Sequence, residues 1–517
     1  MSETFKTDTT RGATVDMNTV PGRAALISLA QECHMTSTDH PLDSAVQAGL
    51  RRIRDLPGPR PLPLLGNILQ VTPGRIHQDI ERWSARYGPL LQARLGRIPV
   101  LVVADHQAVG AILRDRPDGF RRPAASAAIG VEMGGAPGLF DAEGAAWRQQ
   151  RRMVMHGFAP AAIKAYFPAL VKVALRLQRR WDAAAAAAAG QAIELAADLK
   201  RYTVDIIAGL AFGTDVNTIE SGDDVIQRHL DLILPAVARR SLALFPYWRY
   251  LKLPADRRLE RSVAAVRDAV ADLIAQARQR MLEQPARRER PANLLEAMLA
   301  AADRDDSGVN DRDVAGNVST MLLAGEDTTA TTLAWMIYLL SRHPQALRRA
   351  QDEVRRLAPD PAAFSIEQMD ALDYLGACAS EAMRLKPVAP YIPLEALRDT
   401  VVGDVAVPAG TLICCLMRHD SVADTHFPDA AAFKPQRWLE ADIDKGVALP
   451  FGAGPRTCPG RYLALLEIKI AMAMLLARFE IAAVDTPDGG QAQELMGFVM
   501  SPIGLRLRLR PAPAAWY

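Results

Sequence analysis

One cysteine of the five in this 517-residue chain stands where it could do chemistry. Cys458 lies in Phe451-Gly452-Ala453-Gly454-Pro455-Arg456-Thr457-Cys458-Pro459-Gly460-Arg461. The glycines let the backbone turn tightly and pass close to a flat ligand. The apolar run YLALLEIKIAMAMLLARF that follows is long enough for a buried helix. Pro459 suits a first helical turn, where a missing N–H does no harm. Cys458 is therefore expected at a helix N-terminus, where the dipole and free N–H groups favour a thiolate, a metal ligand. Arg456 is placed to pair with a carboxylate of the same ligand. A lone thiol more often is a buried cysteine that caps a helix. The spaced Phe, Gly and Arg point away from that reading here. Cys33, Cys378, Cys414 and Cys415 have no such setting and read as structural.

A second segment, Met321-Leu-Leu-Ala324-Gly325-Glu326-Asp327-Thr328-Thr329, falls inside a helical pattern from about Asp311 to Ser341. Glycine in a helix interior costs roughly 1 kcal/mol against alanine. Followed by acid and hydroxyl residues, Gly325 predicts a local break in the ladder. Ala324 and Thr328 share a face, so a planar group could lie on Ala324 with the hydroxyl one turn along. A water held by Thr328 and relayed by Asp327 would deliver protons without flooding a pocket. The alternative is a Thr328 hydroxyl bonded back to the Ala324 carbonyl beside a solvated Asp327. Two further pairs have helical spacing: Glu381 with Arg384, and Trp147 with Arg151. Spacing alone is weak, since Glu353 and Arg356 repeat the first pattern, and a surface pair gives only ~0.2–0.5 kcal/mol.

Taken together, the motifs resemble those of the cytochrome P-450 family, in its soluble bacterial type, over about residues 56–512. Phe-x-x-Gly-x-Arg-x-Cys-x-Gly is similar to the family's haem-binding loop. The resemblance implies haem b, with Cys458 as the iron ligand and Trp147, Arg151, Ala324, Phe451, Gly452, Arg456, Gly460 and Ala464 around it. Thiolate ligation pushes electron density toward bound oxygen. Ala-Gly-x-Asp-Thr-Thr resembles the oxygen-activating motif, which implies Thr328 as catalytic alcohol and Asp327 as acid. Glu381, Arg384 and Arg437, followed by Trp438, resemble the family's structural triad. Many members carry a basic residue soon after the Glu-x-x-Arg helix for the second propionate. Val388–Leu394 has none, so that contact is expected to be missing.

The implied reaction is R–H + O2 + 2 e⁻ + 2 H⁺ giving R–OH + H2O. Ala324, Thr328, Val388, Ala389, Ile392 and Phe498, under a loop around Ile129–Leu139, would make a mostly apolar pocket for an apolar substrate. With no flavin or iron–sulfur signature in the sequence, the electrons are expected from a separate ferredoxin or flavodoxin served by an NAD(P)H reductase. Arg148, Arg151, Arg152, Arg456 and Arg461 would steer it to the cysteine side. A peroxygenase, an isomerase or dehydratase, and a non-catalytic haem-binding sensor remain as other readings.

The elements that must position these residues are mostly helical. Long Ala-, Leu- and Arg-rich runs extend from Trp147 to about Leu385. Gln92–Val103 reads as a strand, a turn at Gly96 and a second strand, and short strand signals return at Thr400–Cys415 and Leu505–Arg510. The expected class is mainly α with small β-sheets, a haem lying between a long kinked helix and the cysteine-loop helix. Residues 51–517 are expected to form this one domain after a weakly packed tail, 1–50. The proline-rich Leu56–Asn67 is a stiff extended lead-in. A net charge of +2 gives no ground for nucleic acid as partner. No stretch reaches the ~18–20 apolar residues of a membrane span. The N-terminus lacks the order of a signal peptide, and the odd cysteine set fits a reducing compartment, so a cytoplasmic location is expected.

Overall fold

The computed structural model describes residues 49–512 except 133–134, 188–190, 222–224, 242, 244, 305 and 441. The expected tail lies outside these residues but for its last two positions, as does Cys33. Among the described residues, those from Leu50 onward form one compact unit.

The helices and strands that matter here are α1 (His106–Arg114), α2 (Gly144–Gly157), α3 (Pro160–Ala186), α4 (Leu195–Phe212), α5 (Asp311–Arg342), α6 (Asp373–Leu385) and α7 (Arg461–Arg478), with β1 (Leu90–Leu95), β2 (Ile98–Val103), β3 (Phe120–Arg121), β4 (Tyr391–Ala396), β5 (Leu412–Leu416), β6 (Phe479–Asp485) and β7 (Arg506–Pro511). Among the described residues, no single helix is long and apolar enough to cross a membrane. The bent pair α2 and α3 passes that test only jointly, and its apolar faces are buried in the core.

Helix α5 is the axis of the unit. Asn310 caps its start by accepting N–H bonds from Arg312 and Asp313, and Pro344 follows its end. Its second half, from Ala330 to Leu340, is buried, the helix packing against α4, α6 and α7, with Trp335 fully enclosed. The helix is continuous through Gly325, so the predicted break does not interrupt it. A Cβ on Gly325 would meet the Ile207 side chain of α4 at 3.1 Å. The glycine therefore serves a close helix–helix approach.

A five-stranded sheet, in order β1-β2-β5-β4-β3, covers one side. The β1–β2 hairpin turns at Gly96, which has φ +60, and β2 runs parallel to β5 with Val103 opposite Cys415. Ile392 of β4 pairs with the same Cys415. The strictly alternating Leu and Arg residues near the end form β7, antiparallel to β6, with Leu507 and Leu509 buried and the arginines outward.

Candidate active site

The cysteine loop is shaped by its glycines. Gly454 has φ +69, and a Cβ there would come 2.6 Å from the Arg114 Cα, so only glycine lets the loop rest on the end of α1. Gly460 takes the N-cap position of α7, which begins at Arg461. Pro459 thus lies in the turn before the helix, a correction to its expected place in the first helical turn. Cys458 donates its N–H to the Phe451 carbonyl at 3.0 Å, and its Sγ is accessible. Its thiol stands above the usual range because burial by surrounding protein outweighs the Gly460 N–H and the Arg151 and Arg461 charges. The helix start alone does not ionise this thiol. A bound metal cation would.

Around the loop, charged and aromatic side chains interlock. The Arg456 guanidinium lies 4.9 Å from the centre of the buried Trp147 ring and bonds the Ala142 carbonyl and the Glu143 carboxylate. Arg461 lies over Phe451. Ala464 is half-buried on the first turn of α7, its N–H bonded to the Gly460 carbonyl. Arg148 pairs with Asp118 instead of standing free, while Arg152 and Arg461 are exposed.

Sequence reasoning missed Arg116, Arg122 and Glu143. Burial, with Arg116 and Arg456 nearby, pushes Arg122 down to about 9, and burial with Arg116 pushes Arg456 down to about 10. Arg116 Nε and Nη2 and Arg456 Nε are buried with no hydrogen-bond partner. Unfilled guanidinium donors packed this closely call for anionic groups, and haem b brings two carboxylates, so the residues present fit that cofactor. Arg116 also lies near Cys415, the residue paired with Ile392. A basic group thus reaches β5, the strand beside β4, from the loop after α1, although Val388–Leu394 supplies none. These arginines follow no helical or strand period, so the sequence carried no signal for them.

On α5, Ala324 is exposed and Thr328 half-buried, and the Thr328 hydroxyl donates to the Ala324 carbonyl at 2.7 Å. Asp327 is not solvated. It is mostly buried and ion-paired to Lys200 of α4 at 2.8 Å, a partner the sequence did not reveal. A cavity of about 230 Å³ lies against Asp327, Ala330, Ala334 and Phe498. Of the six residues expected to line the pocket, only Phe498 lines this cavity; Ala324 and Thr328 of α5 do not. Val388 is half-buried, its carbonyl accepting from Met500, while Ala389 is exposed and Ile392 packs on the sheet core. Part of the expected Ile129–Leu139 loop is helix up to Glu132, and residues 133–134 lie outside the described set. Its end is fixed to α5, where the Asn317 side chain accepts the Leu139 N–H at 2.9 Å.

Helix α5, which bears Thr328, and helix α7, which follows the Cys458 loop, meet at a buried acid. Glu467 of α7 hydrogen-bonds Thr329, and burial pushes its carboxyl up to about 8. A carboxyl so raised binds its proton more tightly folded than unfolded. Its stabilisation is complete below about pH 4.5 and is lost as pH rises through about 8, an effect bounded near 5 kcal/mol. Thermal unfolding of the holoenzyme between pH 5 and 9 should show a falling Tm that Glu467→Gln flattens. Equal pH slopes in both proteins would refute the assignment.

The structural triad is fully formed. Arg384 donates to both Glu381 oxygens at 2.7 and 2.8 Å, and Arg437 Nε to Oε1 at 3.1 Å, all three residues being buried. Trp438 Nε1 and the Lys434 N–H complete the shell.

Comparison with known proteins agrees with this geometry. The family model for cytochrome P450 matches residues 56–509. The chain belongs to the cytochrome P450 family. It is 29% identical over 472 residues to rice "Cytochrome P450 714D1", covering 85% of this chain and 78% of that one. It is 27% identical to the cat "Steroid 17-alpha-hydroxylase/17,20 lyase", covering 87% and 92%. An Aspergillus niger "Self-sufficient cytochrome P450 monooxygenase CYP505E1" is 27% identical, and there the match spans 42% of the relative's length. These relatives are plant, mammalian and fungal and give no support to the expected bacterial type. As a cytochrome P450 the protein is a haem-thiolate monooxygenase. Its cofactor is haem b, and it uses dioxygen, an organic substrate and a redox partner.

Proposed function

We propose that this P450 hydroxylates an apolar substrate, drawing electrons from a separate acidic donor such as a ferredoxin or flavodoxin, in the cytoplasm. The observation that carries the reading is the accessible Cys458 thiol beside buried guanidiniums with unfilled donors. Haem, when bound, supplies the iron at which dioxygen is reduced and split. Cys458 provides the thiolate ligand. Arg116, Arg122, Arg151 and Arg456, with Trp147, would hold the two carboxylates and so fix the cofactor's orientation. Phe451, Gly452 and Gly460 keep the loop close and rigid, and Ala324 leaves room for the flat ring on α5. The Phe140 and Phe498 rings, 6.1 Å apart, and the alanines of α5 favour an apolar substrate.

Protons enter along α5. Asp327, tethered to Lys200, faces the cavity and can exchange a proton by turning from the lysine. Thr328 Oγ1 now donates to the Ala324 carbonyl, so its lone pairs remain free to accept from a water. Turnover under labelled dioxygen should place one labelled atom in the product. Thr328→Val and Asp327→Asn should each lower product formation about 10- to 100-fold while the donor is still consumed. Unlabelled product would reject the monooxygenase route for this substrate, and fully coupled variants would reject the proton path.

Exposed Arg152 and Arg461, with Arg151 behind them, support an acidic donor at the cysteine side. Reduction by an added ferredoxin or flavodoxin should slow about tenfold between low and high salt. A rate indifferent to ionic strength would reject charge steering and favour a tethered donor.

A further inference from the structure

Away from the cysteine loop, three potential metal ligands converge. His106, at the first position of α1, Asp420 and His426 each offer one donor atom, all within 4.8 Å of one another. His106 Nδ1 lies 2.8 Å and His426 Nε2 3.9 Å from the same Asp420 oxygen, Oδ2. The imidazoles meet edge to face with centres 4.7 Å apart. Nitrogen and oxygen ligands bond zinc at ~2.0–2.2 Å, which puts donors of a tetrahedral ion about 3.3 Å apart. Two of the observed separations straddle that value and the third is within 4.8 Å, so an ion draws the imidazoles together as it seats.

The surroundings hold the donors in place. His419 Nδ1 lies 2.8 Å from Asp420 Oδ1, and the His106 N–H donates to Oδ2 at 2.8 Å. That fixes the carboxylate from both sides, the outer-shell support that metal-binding carboxylates need. The segment is anchored further down, where Arg384 of the triad donates to the Ser421 carbonyl at 2.6 Å. All three ligands are half-buried, which leaves one side open to water.

We propose that His106, Asp420 and His426 form a site for a divalent first-row transition ion, zinc foremost. Two imidazoles and one carboxylate suit zinc, copper, nickel or cobalt and not magnesium or calcium, which demand oxygen donors. The ion displaces the proton shared by His106 Nδ1 and Asp420 Oδ2, and water completes its coordination. It crosslinks α1 to the 420–426 segment, and the far end of α1 carries the cysteine loop through the Gly454–Arg114 contact.

The test is calorimetric titration of tag-free holoenzyme with zinc. One saturable zinc per haem is expected, uncompeted by excess magnesium. His426→Ala and Asp420→Asn should each weaken it at least about tenfold, and His419→Ala about tenfold through the outer shell. His156→Ala, an exposed histidine on α2, should change nothing. The carbon monoxide spectrum of each variant checks that the haem site is intact. If Asp420→Asn fails to fold, His426→Ala decides alone, since the half-buried His426 ring packs edge to face on His106 and lies 3.9 Å from the carboxylate. No saturable zinc binding, or equal affinity in wild type and His426→Ala, overturns the proposal without touching the P450 assignment.

Discussion

Cys458→Ala is expected to abolish the red-shifted Soret band of the reduced carbon monoxide complex and to lower turnover by more than about 1000-fold, roughly 4 kcal/mol of barrier. Among the described residues the other cysteines cannot substitute. Cys378, Cys414 and Cys415 are buried among apolar side chains, and burial pushes the Cys414 thiol up to about 12 and the other two higher still. Thiols held so far from ionisation are inert structural groups. Cys414→Ala should therefore keep the spectral band and cost only packing. A red-shifted band persisting in Cys458→Ala would mean another ligand has been misjudged. The variant should still retain some haem, because the unfilled arginine donors would hold the carboxylates independently of the iron ligand.

How much of this was legible in the sequence depends on what kind of physics fixed each residue. The long central helix was readable because its caps are local: Asn310 at one end and Pro344 at the other. The β1–β2 hairpin was readable from Gly96. The cysteine loop was readable because a tight approach needs glycine at fixed offsets. Gly325 was misread as a break because its reason is tertiary: the Ile207 side chain across the helix interface. Lys200, Arg116, Arg122 and Glu143 left no pattern, since each arrives from a segment remote in sequence from the group it faces. Glu467 is a single acid in an apolar run, and only the packing of α5 on α7 shows that it is buried beside Thr329. Site residues held by backbone geometry were visible early, and those held by long-range electrostatics were not.

The same contrast makes Glu381 the most sensitive position outside the cysteine loop. Glu353-x-x-Arg356 has the same spacing as Glu381-x-x-Arg384, yet the two glutamates do different work. Glu353 accepts the N–H groups of Tyr374 and Leu375 at 2.8 Å each, capping the start of α6. Loss of such a cap costs about 1 kcal/mol. Glu381 is fully buried and balances two buried guanidiniums, with Phe427 packed under both and Trp438 closing the side. Removing one member of a buried ionic network leaves uncompensated charge and costs about 3–5 kcal/mol. Against a total stability of roughly 5–15 kcal/mol, that is a large share. Glu381→Gln, which keeps the shape and removes only the charge, should lower the Tm steeply and reduce the haem-loaded fraction. Glu353→Gln should shift it by a few degrees at most. Thermal unfolding and haem content of the two variants, side by side, decide the matter. Equal losses would mean that the triad holds its segment by packing alone, and that the charge at its centre is not what keeps the proximal side in place.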